Sequence, residues 1–111
     1  MATAFDVIAE PARRQLLDLM MLAPRPVGEL VAESGLSQPN TSRHLRVLRD
    51  AGLVECRAQG QRRLYSVRPQ GFAEVAGWLT PYVLLWQGGI DALERHLERT
   101  EKERGDDVRR R

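Results

Sequence analysis

The stretch VGELVAESGLSQPNTSRHLRVLRDAGLV, residues 27–54, decides the fold. Its apolar residues recur at helical spacing up to Ser34, stop at Gly35-Leu36, and resume after Ser37. Gly35 is placed to end the first helix in the left-handed conformation that only glycine adopts without strain. Ser37 is a good N-cap for the next helix, and Pro39 is tolerated in a first turn, where its missing N–H costs nothing. That second helix reaches Asp50-Ala51 and closes at Gly52. Two helices of about two and four turns joined by so tight a glycine turn read as a helix-turn-helix.

The two faces of the second helix divide cleanly. With Thr41 at the origin of a helical wheel, Leu45 falls near about 40° and Leu48 near about −20°, so these three form the core face. Pro39, Arg43, Arg46 and Asp50 lie on the opposite side, with Asn40 and Ser42 on the flanks. Such a face suits the major groove of DNA, where arginine pairs bidentately with guanine and asparagine with adenine. Ser37 and the free amides of the first turn are placed to meet phosphate. His44, beside the reading face, is a candidate packing or phosphate-contacting residue.

Working outward, the period changes after Gly52. Residues 53–58 and 62–67 alternate like strands and meet at Gln59-Gly60-Gln61, a hairpin turn. This two-stranded ribbon is a wing, with Arg57, Gln61, Arg62 and Arg63 at or near its tip. Upstream, one helix is expected over roughly Thr3 to Glu10, with Phe5 and Ile8 as its apolar contacts. A second runs from Pro11 to about Leu22, presenting Leu16, Leu17, Leu19 and Met20, and Ala23-Pro24-Arg25-Pro26 breaks it. Downstream, a short helix from Phe72 to Leu79 is expected to stop before Thr80-Pro81, which restart a longer helix to about Arg104. Tyr82, Trp86, Ile90, Leu93 and Leu97 fall in one stripe on it. Around Val83, Leu84 and Leu85 that helix is apolar on nearly every side, which predicts a dimer interface.

Composition narrows the function classes. The 111 residues fit one domain, here 1–104 with dimerisation helices at both ends, followed by a charged flexible tail at 105–111. No apolar run approaches a membrane span and no secretory pattern opens the chain, so a cytoplasmic location is expected. The net charge of +2 hides an asymmetry: residues 37–68 carry seven arginines against Asp50 and Glu55, a net +5. Charge concentrated on the segment that holds the motif is the footprint of a polyanionic partner. The two histidines are far apart, no nucleophile motif or glycine-rich phosphate loop is present, and an enzyme is not expected. Cys56, the single cysteine, reads as small apolar filling rather than a redox sensor. Asp91, Glu94, His96 and Glu98 read as solvated helix surface rather than metal ligands, so neither metal nor cofactor is expected.

Three segments carry a family resemblance: FDVIAEPARRQLLDLM (5–20), the 27–54 stretch above, and GQRRLYSV (60–67). Together they resemble the arsenic-repressor-type (ArsR) winged-helix regulators over about residues 5–67. WLTPYVLLWQGGIDALERHLE (78–98) is similar to a branch without known metal sites. The resemblance implies a homodimer formed by the first and last helices, a recognition helix at Ser37–Ala51, and repression relieved by a signal. The thiolate metal site of the family needs two cysteines on the Val27–Ser34 helix, and none is there. Thr41 stands where the family has an aliphatic residue, Asn40 where threonine is common, and Pro26 where a threonine caps the third helix.

The expected fold is therefore mostly α with a two-stranded β wing, a winged helix-turn-helix of order α-α-α-α-β-β-α(α) with a helical dimer interface. The expected function is sequence-specific repression of the protein's own operon, released by an unidentified small-molecule or protein effector. Double-stranded operator DNA with inverted half-sites is the expected partner. The DNA contacts fall to Ser37, Gln38, Pro39, Asn40, Ser42 and Arg43, then to His44, Arg46, Arg57, Gln61, Arg62 and Arg63. The dimer contacts fall to Phe5, Ile8, Tyr82, Trp86, Ile90, Leu93 and Leu97. Two alternatives keep the fold: a protein-interaction module without specific DNA binding, and a metal-responsive repressor.

Overall fold

A computed structural model describes residues 2–110, with side chains described through residue 103. The chain divides into two units between Ala76 and Gly77. In the first, α1 (Ala4–Ile8) opens on a capping box. The Thr3 hydroxyl accepts from the Asp6 amide, and the Asp6 carboxylate accepts from the Thr3 amide. Those bonds from Thr3, backbone first, hold the Asp6 carboxyl below its ordinary pKa. Then follow α2 (Pro11–Met20), β1 (Arg25–Pro26), α3 (Val27–Ser34), α4 (Gln38–Asp50), β2 (Val54–Gln59), β3 (Arg62–Val67) and a 3₁₀ turn at Pro69–Phe72.

The core follows the helical spacing. Leu16 and Met20 of α2, Leu30 of α3 and Leu45 and Leu48 of α4 are buried together with Val7, Leu53 and Val54. Each such aliphatic side chain withdrawn from water contributes about 1.5–3 kcal/mol. On α1 the buried residues are Ala4 and Val7, while Phe5 and Ile8 are half-buried. A five-residue helix presents only one narrow stripe inward, and i, i+3 spacing gives it to Ala4 and Val7. Helix α2 stops at Met20, short of the expected Leu22; Met21 and Leu22 are exposed.

Both glycine stops hold. Gly35 has φ 74° at the end of α3. After α4, Gly52 has φ 77°, its N–H bonds Arg49 O, and Leu53 N–H bonds Leu48 O. These two bonds are a Schellman motif, and the buried Leu53 and Leu48 close it with an apolar contact. The hairpin register pairs Gln59 with Arg62, leaving Gly60 and Gln61 as a two-residue loop. Gly60 has positive φ and Gln61 does not, the pattern of a type II′ turn.

The sheet has three strands rather than two, in the order β1-β3-β2. The segment read only as a helix breaker supplies β1, pairing Arg25 with Tyr65 and Pro26 with Leu64. Proline is admissible there because β1 is an edge strand, where a missing N–H removes no interior ladder bond. Pro26 then serves as N-cap of α3 with no side-chain cap bond, while Arg25 pairs with Glu33 at 2.7 Å.

The second unit belongs to α5 (Ala73–Arg110), one helix that continues through Pro81 instead of restarting there. A proline inside a helix removes one hydrogen bond and crowds the carbonyl four residues back, a cost of about 3 kcal/mol. Helical turns on both sides carry that loss, so the chain bends to neither a loop nor a second start. The expected charged tail at 105–111 lies outside the residues whose side chains are described. Among the described residues no helix is long and apolar enough to cross a membrane.

Where the 3₁₀ turn meets the end of α4, backbone touches backbone. A Cβ on Gly71 would overlap the Gly52 carbonyl and reach 3.1 Å from Leu53 Cα. Gly71→Ala is therefore expected to lower stability by about 1–3 kcal/mol, as overpacking against unyielding atoms does. Urea unfolding of the two proteins measures it; Gly77→Ala, with open space around its Cβ position, is the control.

Candidate nucleic-acid interface

The amino end of α4 is built by its own first residues. The Ser37 hydroxyl accepts from the Asn40 amide at 3.2 Å. The Ser37 carbonyl accepts twice, from the Thr41 amide at 2.9 Å and from the Thr41 hydroxyl at 2.9 Å. That second bond lets a threonine occupy a fully buried position: its methyl packs, and its hydroxyl is satisfied within the helix. Pro39 has no N–H and the Asn40 amide is used by the cap, so the Gln38 amide is what the first turn retains for an anion.

The wheel drawn from the sequence matches the burial. Thr41, Leu45 and Leu48 are buried, and Gln38, Pro39, Asn40, Ser42, Arg43 and Arg46 are exposed. Arg57, Gln61, Arg62 and Arg63 are exposed on the wing, where Arg57 lies 3.5 Å from Glu55. An ion pair this exposed is worth little, so Arg57 remains available to another anion. Cys56 is half-buried opposite Tyr65 in the hairpin. Burial, and then the neighbouring thiol, pushes the Tyr65 hydroxyl above its ordinary pKa.

His44 departs from the rest of the set. It is half-buried, and its Nδ1 accepts from Arg13 Nε of α2 at 3.3 Å. The same guanidinium donates to the Val7 carbonyl of α1 at 3.4 Å. Arg13 is the residue that sequence reasoning missed: it precedes His44 by 31 positions, and no local pattern links them.

On α5, Tyr82, Trp86, Leu93 and Leu97 are exposed and Ile90 is half-buried. The Trp78 and Tyr82 rings lie 4.9 Å apart in a tilted arrangement. So large an exposed apolar stripe marks an interaction surface. Among the described residues no three histidine, cysteine or acidic side chains gather to hold a metal ion; Asp91, Glu94, His96 and Glu98 do not converge.

Comparison with known proteins places this geometry. The model of the family described as bacterial regulatory protein, arsR family, matches residues 10–55. An uncharacterised HTH-type transcriptional regulator of Mycobacterium tuberculosis is 40% identical over 75 residues, 67% of this chain and 66% of that protein. The match thus spans just under two thirds of that relative's length. The crystal structure of a possible transcriptional regulator for arsenical resistance is 35% identical, with TM-score 0.67 over 84% of this chain and 94% of that one. A homodimeric winged helix-turn-helix DNA-binding domain from Mycobacterium bovis, solved by NMR, is 26% identical with TM-score 0.59 over 71% and 73%.

The cap makes a local prediction. Ser37→Ala is expected to cost about 1 kcal/mol of stability and to speed hydrogen exchange at the Asn40 amide, while the Arg68 amide, which bonds Leu53 O at 2.9 Å, changes less. Amide exchange followed by NMR distinguishes this from a global loss, which would accelerate both sites.

Proposed function

The chain belongs to the arsR family of bacterial regulatory proteins, and from that premise we propose that it is a homodimeric, sequence-specific DNA-binding repressor. The observation that carries this reading is the division of α4. A buried Thr41/Leu45/Leu48 face fixes the helix, and an exposed face carries Asn40, Arg43 and Arg46 beside a wing bearing Arg57, Arg62 and Arg63. Arg43 and Asn40 read base edges; Arg62 and Arg63 meet the phosphate backbone or the minor groove. Ser37, Gln38 and Ser42 contact phosphate, and Pro39 and Gln61 line the contact. A dimer seated on a promoter excludes polymerase from it, which is repression. Such a protein acts where the bacterial chromosome is, in the cytoplasm, and the reading requires no catalysis, metal or cofactor.

The dimer rests on the exposed stripe of Tyr82, Trp86, Ile90, Leu93 and Leu97, with Phe5 and Ile8 of α1 as a second contributor. The homodimeric Mycobacterium bovis relative supports that assembly. Twofold symmetry then sets two recognition helices on inverted half-sites about 34 Å apart. The protein's own operon is the proposed target, released by an effector that is a small molecule or a protein.

Selection from randomised duplex DNA, repeated at two salt concentrations, tests the reading. Arg43→Ala should cost about 1–3 kcal/mol per half-site and relax one symmetric base position. Arg62→Ala should weaken all sequences alike and lower the salt slope by about one unit for each phosphate it no longer neutralises. A uniform loss with Arg43→Ala, every preference intact, would move the reading face elsewhere; a chain that enriches no sequence supports the protein-interaction alternative.

For the dimer, Trp86→Glu combined with Ile90→Glu should give monomer or aggregate by light scattering and abolish operator binding. A double variant that stays a DNA-binding dimer would exclude this interface.

A further inference from the structure

We propose that Arg13 is a positioning residue for DNA binding: it fixes the tautomer of His44 so that the imidazole Nε2–H is presented to a backbone phosphate. The inference rests on the DNA-binding reading above and adds to it a residue outside the helix-turn-helix and wing.

Arginine has donors only, so the 3.3 Å contact from Arg13 Nε requires a lone pair on His44 Nδ1. A neutral imidazole with a lone pair on Nδ1 carries its proton on Nε2. That nitrogen reaches solvent, because no buried side-chain nitrogen or oxygen lacks a partner among the described residues and His44 Nε2 bonds no protein group. The donor therefore faces outward by construction.

Its place on α4 selects phosphate over a base. His44 lies one turn after the exposed Asn40, on the same flank, and about 100° around the helix from Arg43. A side chain there meets the wall of the groove, where the backbone runs, rather than its floor. The Arg13 guanidinium is held in turn, since it also donates to the Val7 carbonyl. Val7 is fully buried in the core. One side chain thus ties α1, α2 and α4, and the orientation of a DNA-facing N–H depends on it.

The experiment combines imidazole ¹⁵N NMR with a double-mutant cycle on the selected operator. In the wild-type protein with a neutral ring, His44 is expected to show a protonated Nε2 and an unprotonated Nδ1; Arg13→Met should give a tautomer mixture. Arg13→Met should weaken operator binding about fourfold, since an even tautomer mixture leaves about half of the rings competent at each of two half-sites, with base preferences unchanged. In His44→Gln, whose amide N–H replaces Nε2–H without needing a tautomer, Arg13→Met should change affinity less than about twofold, within the usual error of additivity for uncoupled sites. A proton on Nδ1 in the wild type overturns the proposal, and that measurement needs no variant to fold. Equal losses in both backgrounds also overturn it, leaving Arg13 a purely structural role. Failure of the DNA reading looks different: the wild type selects no operator even though the tautomer is as expected, and the phosphate role falls with it.

Discussion

A recognition helix can hold a polar face toward solvent only if its other face is fixed, and here three residues fix it. Thr41, Leu45 and Leu48 are buried while the residues between them are not. Both ends of α4 are tied down by their own chain: the Ser37 cap at one end and the Schellman bonds of Gly52 and Leu53 at the other. Helix length, rotation and direction are then set before any partner arrives. Preorganisation of this kind matters because ordering a loose helix on contact would consume binding free energy.

The wing depends on that same anchoring. Leu53, which closes the Schellman motif, is fully buried, and Val54 follows it directly into β2. The hairpin thus leaves the core in a fixed direction, and its arginines are carried by strands rather than by an unanchored loop. β3 is held on both sides, by β2 and by β1. Gly71 presses on Gly52 from the 3₁₀ turn, and Arg68 donates to the same Gly52 carbonyl at 3.3 Å. The end of the recognition helix is therefore a junction at which several elements meet.

The apolar stripe on α5 follows a different logic. Trp78, Tyr82, Leu85 and Trp86 remain exposed in the single chain, at a hydrophobic cost that burial against another surface removes. The Thr41/Leu45/Leu48 face is satisfied within one chain, whereas this face asks for an addition. The proposed DNA-reading face and the proposed assembly stripe thus lie on different helices.

Much of the fold and of the candidate interface was legible in the sequence, because short-range physics specifies them. Gly35, Ser37, Gly52 and Gly60 act through their own backbone angles and near neighbours, so their spacing determined two helices, the turn between them and the hairpin. The helical period likewise determined which residues of α4 turn outward. Tertiary structure decided what no window of neighbours contains. Arg25-Pro26 becomes a strand only because β3 lies beside it, and Arg13 meets His44 across 31 residues. The course of α5 through Pro81 is instead a local balance: proline's preference is to interrupt, and the helical turns on either side outweigh it. Local preferences are worth tenths to a few kcal/mol; where packing and pairing bring more than that, the folded chain overrules them.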